Sequence, residues 1–246
     1  MYDCNPVHTP MTMDVKLCTD DGSQPADKSL YQSLIGSLLY LSTATRPDIA
    51  YAVGVLSRFT AAPTETHLTA AKRVLRYLKF TPELGISYSR SGSKPVGYSD
   101  SSWADDDTRH STSGVVFMYA GGPVLWLSKR QSVVALSTTE AEYVAAFDAT
   151  REAAWLRQLY LDITGCECTP ITLYIDNTSA ICIANNSATT KRSKHMDVRY
   201  HYVREEVNSL HIKTVHCPTV EMIADILTKP VPRPRYDELR SKLGVA

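Results

Sequence analysis

Nowhere do these 246 residues supply the roughly 18 uninterrupted apolar positions that a membrane-spanning helix needs. The start, Met1-Tyr2-Asp3-Cys4, has neither a basic n-region nor an apolar h-region, so no secretory signal is expected and a soluble protein is. Paired cysteines are lacking too. Six are scattered along the chain, and the one close pair, Cys166 and Cys168, has neither the spacer nor the second pair of a structural zinc site. That pattern fits a reduced intracellular compartment. Net charge is also missing: 26 basic and 26 acidic residues cancel, so affinity for a polyanion must come from local basic patches or bound cations. There is no internal repeat and no low-complexity block. With 43% apolar residues the chain has material for a core, and disorder is not the default.

Residues 1–28 carry prolines, threonines and charges without periodicity, and read as an extended or disordered lead-in. A helical segment is expected over residues 29–82. Leu34, Ile35, Leu38, Leu39 and Leu41 form one apolar stretch, Pro47 opens a helix through Ile49, Val53 and Leu56, and another follows Pro63. Lys72, Arg73, Arg76 and Lys79 make a basic stripe on that last helix, fitting either a grip on a nucleic-acid backbone or an ordinary solvated face. A short strand-like segment, Gly85–Tyr88, precedes a boundary near Ser91-Gly92-Ser93, and a second domain is expected over residues 92–246. Three antiparallel strands are expected at Pro95–Ser99, Gly114–Tyr119 and Val124–Ser128. A helix from Glu140 to about Leu161 and a strand at Ile171–Ile175 then imply parallel pairing by a crossover. Further helices are expected from Thr178, around Val198–Val207 and from near Val220, with a strand through His211–Val215.

Two segments look alike. Tyr98-Ser99-Asp100 and Tyr174-Ile175-Asp176 each place an acid just past a buried strand. If those strands are parallel neighbours, both carboxylates emerge at one carboxyl edge, where ligands collect in open α/β sheets, although an acid there is often only a turn former. Ser137-Thr138-Thr139-Glu140 reads as a capping box, which gives Glu140 a structural task and leaves Glu142 free to point across the sheet edge. Asp225 sits in an otherwise apolar run, Met222-Ile223-Ala224-Asp225-Ile226-Leu227, where a lone carboxylate needs a partner. Convergent carboxylates repel by about 4 kcal/mol for a pair about 4 Å apart at an effective dielectric of about 20. Divalent cations remove that penalty, and hard oxygen donors favour Mg²⁺ or Mn²⁺. Two such ions roughly 3.5–4 Å apart suit phosphodiester hydrolysis.

The sequence resembles the C-terminal part of the Pol polyprotein of copia-type retrotransposons from about Asp3 to Lys242. The resemblance is carried by Tyr31-Gln32-Ser33-Leu34-Ile35-Gly36-Ser37-Leu38-Leu39-Tyr40-Leu41, Thr45-Arg46-Pro47-Asp48-Ile49-Ala50, Ser137-Thr138-Thr139-Glu140-Ala141-Glu142-Tyr143, Lys194-His195-Met196-Asp197-Val198-Arg199-Tyr200-His201 and Ala224-Asp225-Ile226-Leu227-Thr228-Lys229-Pro230. It implies that residues up to about 82 are the thumb or connection helices of a reverse transcriptase. The rest would be a ribonuclease H-like α/β domain, a mixed five-stranded sheet of order 3-2-1-4-5 flanked by helices. It further implies two Mg²⁺ ions, or Mn²⁺, held by Asp100, Glu142, Asp176 and Asp225, and cleavage of the RNA strand of an RNA–DNA hybrid to leave a 3′-hydroxyl and a 5′-phosphate. Recognition would run through RNA 2′-hydroxyls across the minor groove. Lys72, Arg73, Arg76, Lys79, Lys191, Lys194 and His195 are candidate backbone contacts, and the polymerase part of the reverse transcriptase is the implied protein partner. The implied location is the cytoplasm, in a virus-like particle, or the nucleus.

Two departures from the family pattern stand out. Fingers, palm and paired polymerase aspartates are not in this stretch, and Trp103-Ala104-Asp105-Asp106 reads as an acidic turn, so DNA synthesis by this stretch alone is not expected. Pro218-Thr219-Val220-Glu221 leaves little room for the mobile histidine loop of other ribonucleases H, with His216 as a nearby proton-shuttle candidate or a structural residue. A catalytically silent hybrid-binding remnant, or a structural fragment that self-associates through its helices, are the competing readings.

Overall fold

In a computed structural model, residues 3–13, 16–89, 94–185 and 197–246 are described. Helix α1 spans Lys28–Ala44, with the Asp27 side chain accepting from the Leu30 amide at its start. A 3₁₀ turn at Pro47–Ile49 leads into α2, Ala50–Ser57, and α3 follows at Glu65–Lys79. Thr64 caps α3, and His67 Nδ1 accepts from the Thr64 amide in return. Between Lys79 and Val96 the Gly85–Tyr88 segment forms no ladder strand. Ile86 makes only an isolated bridge to Val245, with Gly85 bonded to Ala246 and Ser87 to Gly244, while Tyr88 and Ser89 bond Pro123 and Ala120.

Strands β1 (Val96–Ser102), β2 (Thr112–Tyr119) and β3 (Gly122–Arg130) are antiparallel neighbours, while β4 (Ile171–Ile175) and β5 (Ile212–His216) add in parallel. The order is β3-β2-β1-β4-β5, the ribonuclease H-like order that the resemblance implies. Helix α4 (Thr138–Thr164) makes the crossover from β3 to β4, and α5 (Thr178–Asn185) and α6 (Asp197–Asn208) connect β4 to β5.

Alternation along the strands feeds two cores. Val115, Phe117, Ile171, Leu173 and Ile175 face α4, α5 and α6. Val116, Tyr98 and Tyr174 face the other way, into a core shared with α1–α3 and the C-terminal residues. The N-terminal helices therefore cover one face of the sheet. Val7 and Leu17 of the lead-in reach the same core, and Pro25 bridges Thr64. Buried polar ties reinforce the join. Trp126 Nε1 donates to the Ser42 carbonyl at 2.7 Å, and Tyr236 Oη donates to the Asp48 carbonyl at 2.9 Å.

The helix expected from near Val220 is not there. Two 3₁₀ turns, Thr219–Glu221 and Ile223–Leu227, replace it, and the last helix, α7, is Arg233–Lys242. All six residues from Met222 to Leu227 are buried. A run enclosed on all sides has no polar face, so its sequence carries no periodicity that separates a helix from tight turns. Pro230 and Pro232 then delay regular helix until Arg233, because neither can donate a backbone hydrogen bond.

Candidate active site

Parallel pairing of β1 with β4 aligns Tyr98 with Tyr174 and Ser99 with Ile175, and the two tyrosine rings stack with centroids 4.9 Å apart. The similar tripeptides thus end side by side, and Asp100 and Asp176 leave the sheet at one edge. Glu142 comes from the start of α4. Ser137 accepts from the Glu140 amide at 3.2 Å, and Glu140 Oε2 accepts from the Leu136 amide, one residue before the cap, at 2.8 Å. Glu140 holds the helix start in place, as the capping signature suggested, with its acceptor role shifted by one residue. Glu142 is turned inward, where its Oε1 accepts from the Ser101 amide at 3.0 Å and the Ser101 hydroxyl at 2.9 Å.

One oxygen from each of Asp100, Glu142 and Asp176 lies within 4.8 Å of the others. Asp100 and Glu142 are buried and Asp176 is half-buried. Burial, followed by repulsion from Asp100 and Asp176, pushes the Glu142 carboxyl up to about 9 despite the Ser101 hydrogen bonds. Burial likewise pushes Asp100 up to about 7, against the pull of the Lys229 cation and the Thr228 hydroxyl, which donates to Asp100 Oδ2. Glu142 Oε2 is buried without a hydrogen-bond partner. Hard oxygen donors held this close, with one buried oxygen left over, fit a divalent cation.

Asp225 is not among the three converging acids. Its Oδ1 lies 2.7 Å from Lys229 Nζ and its Oδ2 lies 3.7 Å from an Arg235 guanidinium nitrogen. Lys229 Nζ also stands 3.9 Å from Asp100 Oδ2 and so joins Asp225 to the cluster. The partner that a lone acid in an apolar run demanded is therefore a pair of cations. Gly114 sits opposite Asp100 in the β1–β2 register. A Cβ there would meet Thr228 Cγ2 at 2.6 Å and the Ala224 carbonyl at 2.9 Å, so this glycine lets the Asp225 turn press against the sheet.

The basic stripe is partly occupied by the chain itself. Arg73 donates to Thr9 Oγ1 at 3.1 Å and Arg76 to the Asn5 carbonyl at 2.9 Å, while Lys79 lies 3.9 Å from Cys4 Sγ and over the Phe80 ring. Lys72 is exposed. Lys191, Lys194 and His195 lie outside the described residues. His216 ends β5 beside Ile175 and is exposed. Asp105 and Asp106 are turn residues. Asp105 accepts from Thr112 Oγ1 at 2.8 Å, and Asp106 accepts from the Thr108 and His110 amides and pairs with Arg130 at 2.5 Å. Ser101, Thr228, Lys229 and Arg235 were not singled out from the sequence. Only Lys229 carried a signal, its i,i+4 spacing from Asp225 in a 3.6-residue periodicity.

No family model matches the sequence. The whole chain aligns at 41% identity with the retrovirus-related Pol polyprotein from transposon TNT 1-94 of Nicotiana tabacum, covering 19% of it. It aligns at 39% identity with the Pol polyprotein from transposon RE1 of Arabidopsis thaliana, covering 17%. The chain thus spans under a fifth of the relatives' length. Among solved structures, the foamy viral protease-reverse transcriptase in complex with an RNA/DNA hybrid matches 87% of this chain and 27% of its own, with a TM-score of 0.51 at 14% identity, a likeness of fold. Over its whole length, then, the chain is similar to a part of the Pol polyproteins of copia-type retrotransposons.

Proposed function

We propose that the chain carries the ribonuclease H activity of such a polyprotein: metal-dependent endonucleolytic cleavage of the RNA strand of RNA–DNA hybrids. The reading rests on Asp100, Glu142 and Asp176, three carboxylates from two strand ends and a helix start with oxygens within 4.8 Å of one another. Asp225 completes the proposed set of acids, and its charge is balanced here by Lys229 and Arg235.

Asp100, Glu142 and Asp176 would hold Mg²⁺, or Mn²⁺, and bound there such ions activate water and stabilise a phosphate-ester leaving oxygen. The protein's own part is positional. Ser101 orients Glu142, Thr228 orients Asp100, and Thr219 Oγ1 donates to Asp176 Oδ2 at 3.1 Å. These donors fix the carboxylates before any substrate arrives. The proposed partners are the RNA–DNA hybrid and the polymerase part of the same polyprotein.

A labelled RNA–DNA hybrid incubated with Mg²⁺, Mn²⁺ or EDTA tests the activity. Cleavage with either ion, none in EDTA, and loss of cleavage in both Asp100→Asn and Asp176→Asn is the expected result. Retained cleavage in both variants sinks the site assignment, and hybrid binding without cleavage by the unaltered chain identifies a silent remnant.

A further inference from the structure

Beside the acid cluster the surface carries an apolar feature that neither the fold nor the carboxylate chemistry requires. Trp103 follows Asp100 by three residues and is 46% exposed, while Val134 and Leu136, just before α4, are 47% and 86% exposed. The two segments are tied together: Trp103 Nε1 donates to the Ala135 carbonyl at 3.0 Å. The indole thus bonds the protein through its polar edge while nearly half of the residue stays open to solvent.

This edge is joined to the cluster by hydrogen bonds. Gln131 Nε2 donates to the Ala141 carbonyl at 2.9 Å and to Ser113 Oγ at 3.0 Å, fixing the segment that leads to Leu136. The Leu136 amide is held by Glu140, and Ser101, two residues before Trp103, holds Glu142. Neither residues 101–104 nor residues 131–137 contain a charged side chain. A charge-free, aromatic-tipped edge is suited to the carbon faces of sugars rather than to phosphate oxygens.

Building on the ribonuclease reading, we propose that Trp103 and Leu136 form an apolar lip that seats the sugar edge of the nucleic-acid strand next to the cleaved phosphodiester. They are positioning residues. The buried carboxylates repel the backbone they must approach, and the lip supplies attraction that does not depend on charge.

Hybrid binding is measured by tryptophan fluorescence and by titration on an Asp176→Asn background, so that the hybrid survives. The expected result is quenching on hybrid addition that is lost in Trp103→Phe, which leaves Trp126 and Trp155 as the remaining fluorophores. Trp103→Ala should weaken binding by about fivefold or more, the low end for loss of an aromatic contact to nucleic acid. The loss should be the same factor at about 50 and about 200 mM salt, since no phosphate contact is removed. Trp103→Phe should recover most of the affinity. If the ring merely anchors Ala135, Phe would behave like Ala, because it too lacks the indole N–H, and that result overturns the proposal. Undiminished binding by Trp103→Ala with cleavage intact in the otherwise unaltered chain overturns the lip alone. Failure of the unaltered chain to bind or cleave hybrid overturns the ribonuclease reading with it.

Discussion

Lys229 Nζ lies 2.7 Å from Asp225 Oδ1, an i,i+4 pair on an irregular turn in which the lysine also reaches Asp100. One cation thus serves two acids that lie far apart in the sequence. Replacing it leaves both carboxylates short of a counter-charge. Lys229→Gln is expected to lose about 1–2 kcal/mol of stability in EDTA, the buried-pair penalty reduced because the side chain is 37% exposed. Mg²⁺ or Mn²⁺ should stabilise this variant more than the parent. Equal shifts in melting temperature for the two proteins would show that Lys229 does not stand in for cation charge.

The raised acids set a pH dependence. Burial lifts Asp100 from 3.8 to about 7 and Glu142 from 4.5 to about 9, so between those values the folded chain binds more protons than the unfolded chain. Stability must then fall as pH rises through that window, by up to about 1.4 kcal/mol per pH unit per proton. Thermal melts in EDTA at pH 5.5, 7 and 9 should show a steady decline that millimolar Mg²⁺ reduces. A flat profile in EDTA would contradict the burial of these two groups.

Gly114 and Thr228 meet beneath Asp100. Gly114→Ala forces a methyl group to within 3.0 Å of Thr228 and the Ala224 backbone, and a loss of about 1–3 kcal/mol is expected for overpacking. Thr228→Val keeps the volume and removes only the hydroxyl that donates to Asp100. It should cost less stability than Gly114→Ala yet depress cleavage, which chemical denaturation and hybrid assays together will separate.

Asp48 is a third structural centre. Its carboxylate pairs with Arg46 at 2.8 Å and accepts from Tyr77 Oη at 2.6 Å. Asp48→Ala would strand a buried guanidinium, and about 3–5 kcal/mol of destabilisation is expected in a denaturant titration.

The residues explain why some of this was readable beforehand. Strands β1 and β4 announce themselves by matching tripeptides, and two acids past two buried strands are close as soon as the strands are parallel. Glu142 separates from Glu140 by capping logic alone. Asp225 stands out for its apolar neighbours, but nothing local says that Arg235 would come back to it across three prolines. The turn at Met222–Leu227 was misread as helix because complete burial looks the same whether the backbone is helical or folded into tight turns. The tasks of Arg73 and Arg76 were hidden in the lead-in, whose Asn5 and Thr9 carry no periodicity to signal contact with a distant helix.

The core shared by the first and last helices also has a consequence in time. Helices α1–α3 are complete at Lys79 and the strands that pack on them follow, yet a large share of their common core comes only from Met222 onward. At about 5–20 residues per second, a ribosome leaves that share of the core unfilled for on the order of ten seconds after Lys79. During synthesis the nascent chain must be kept from sticking to its neighbours, and its last two dozen residues act as the closure that ends this exposure.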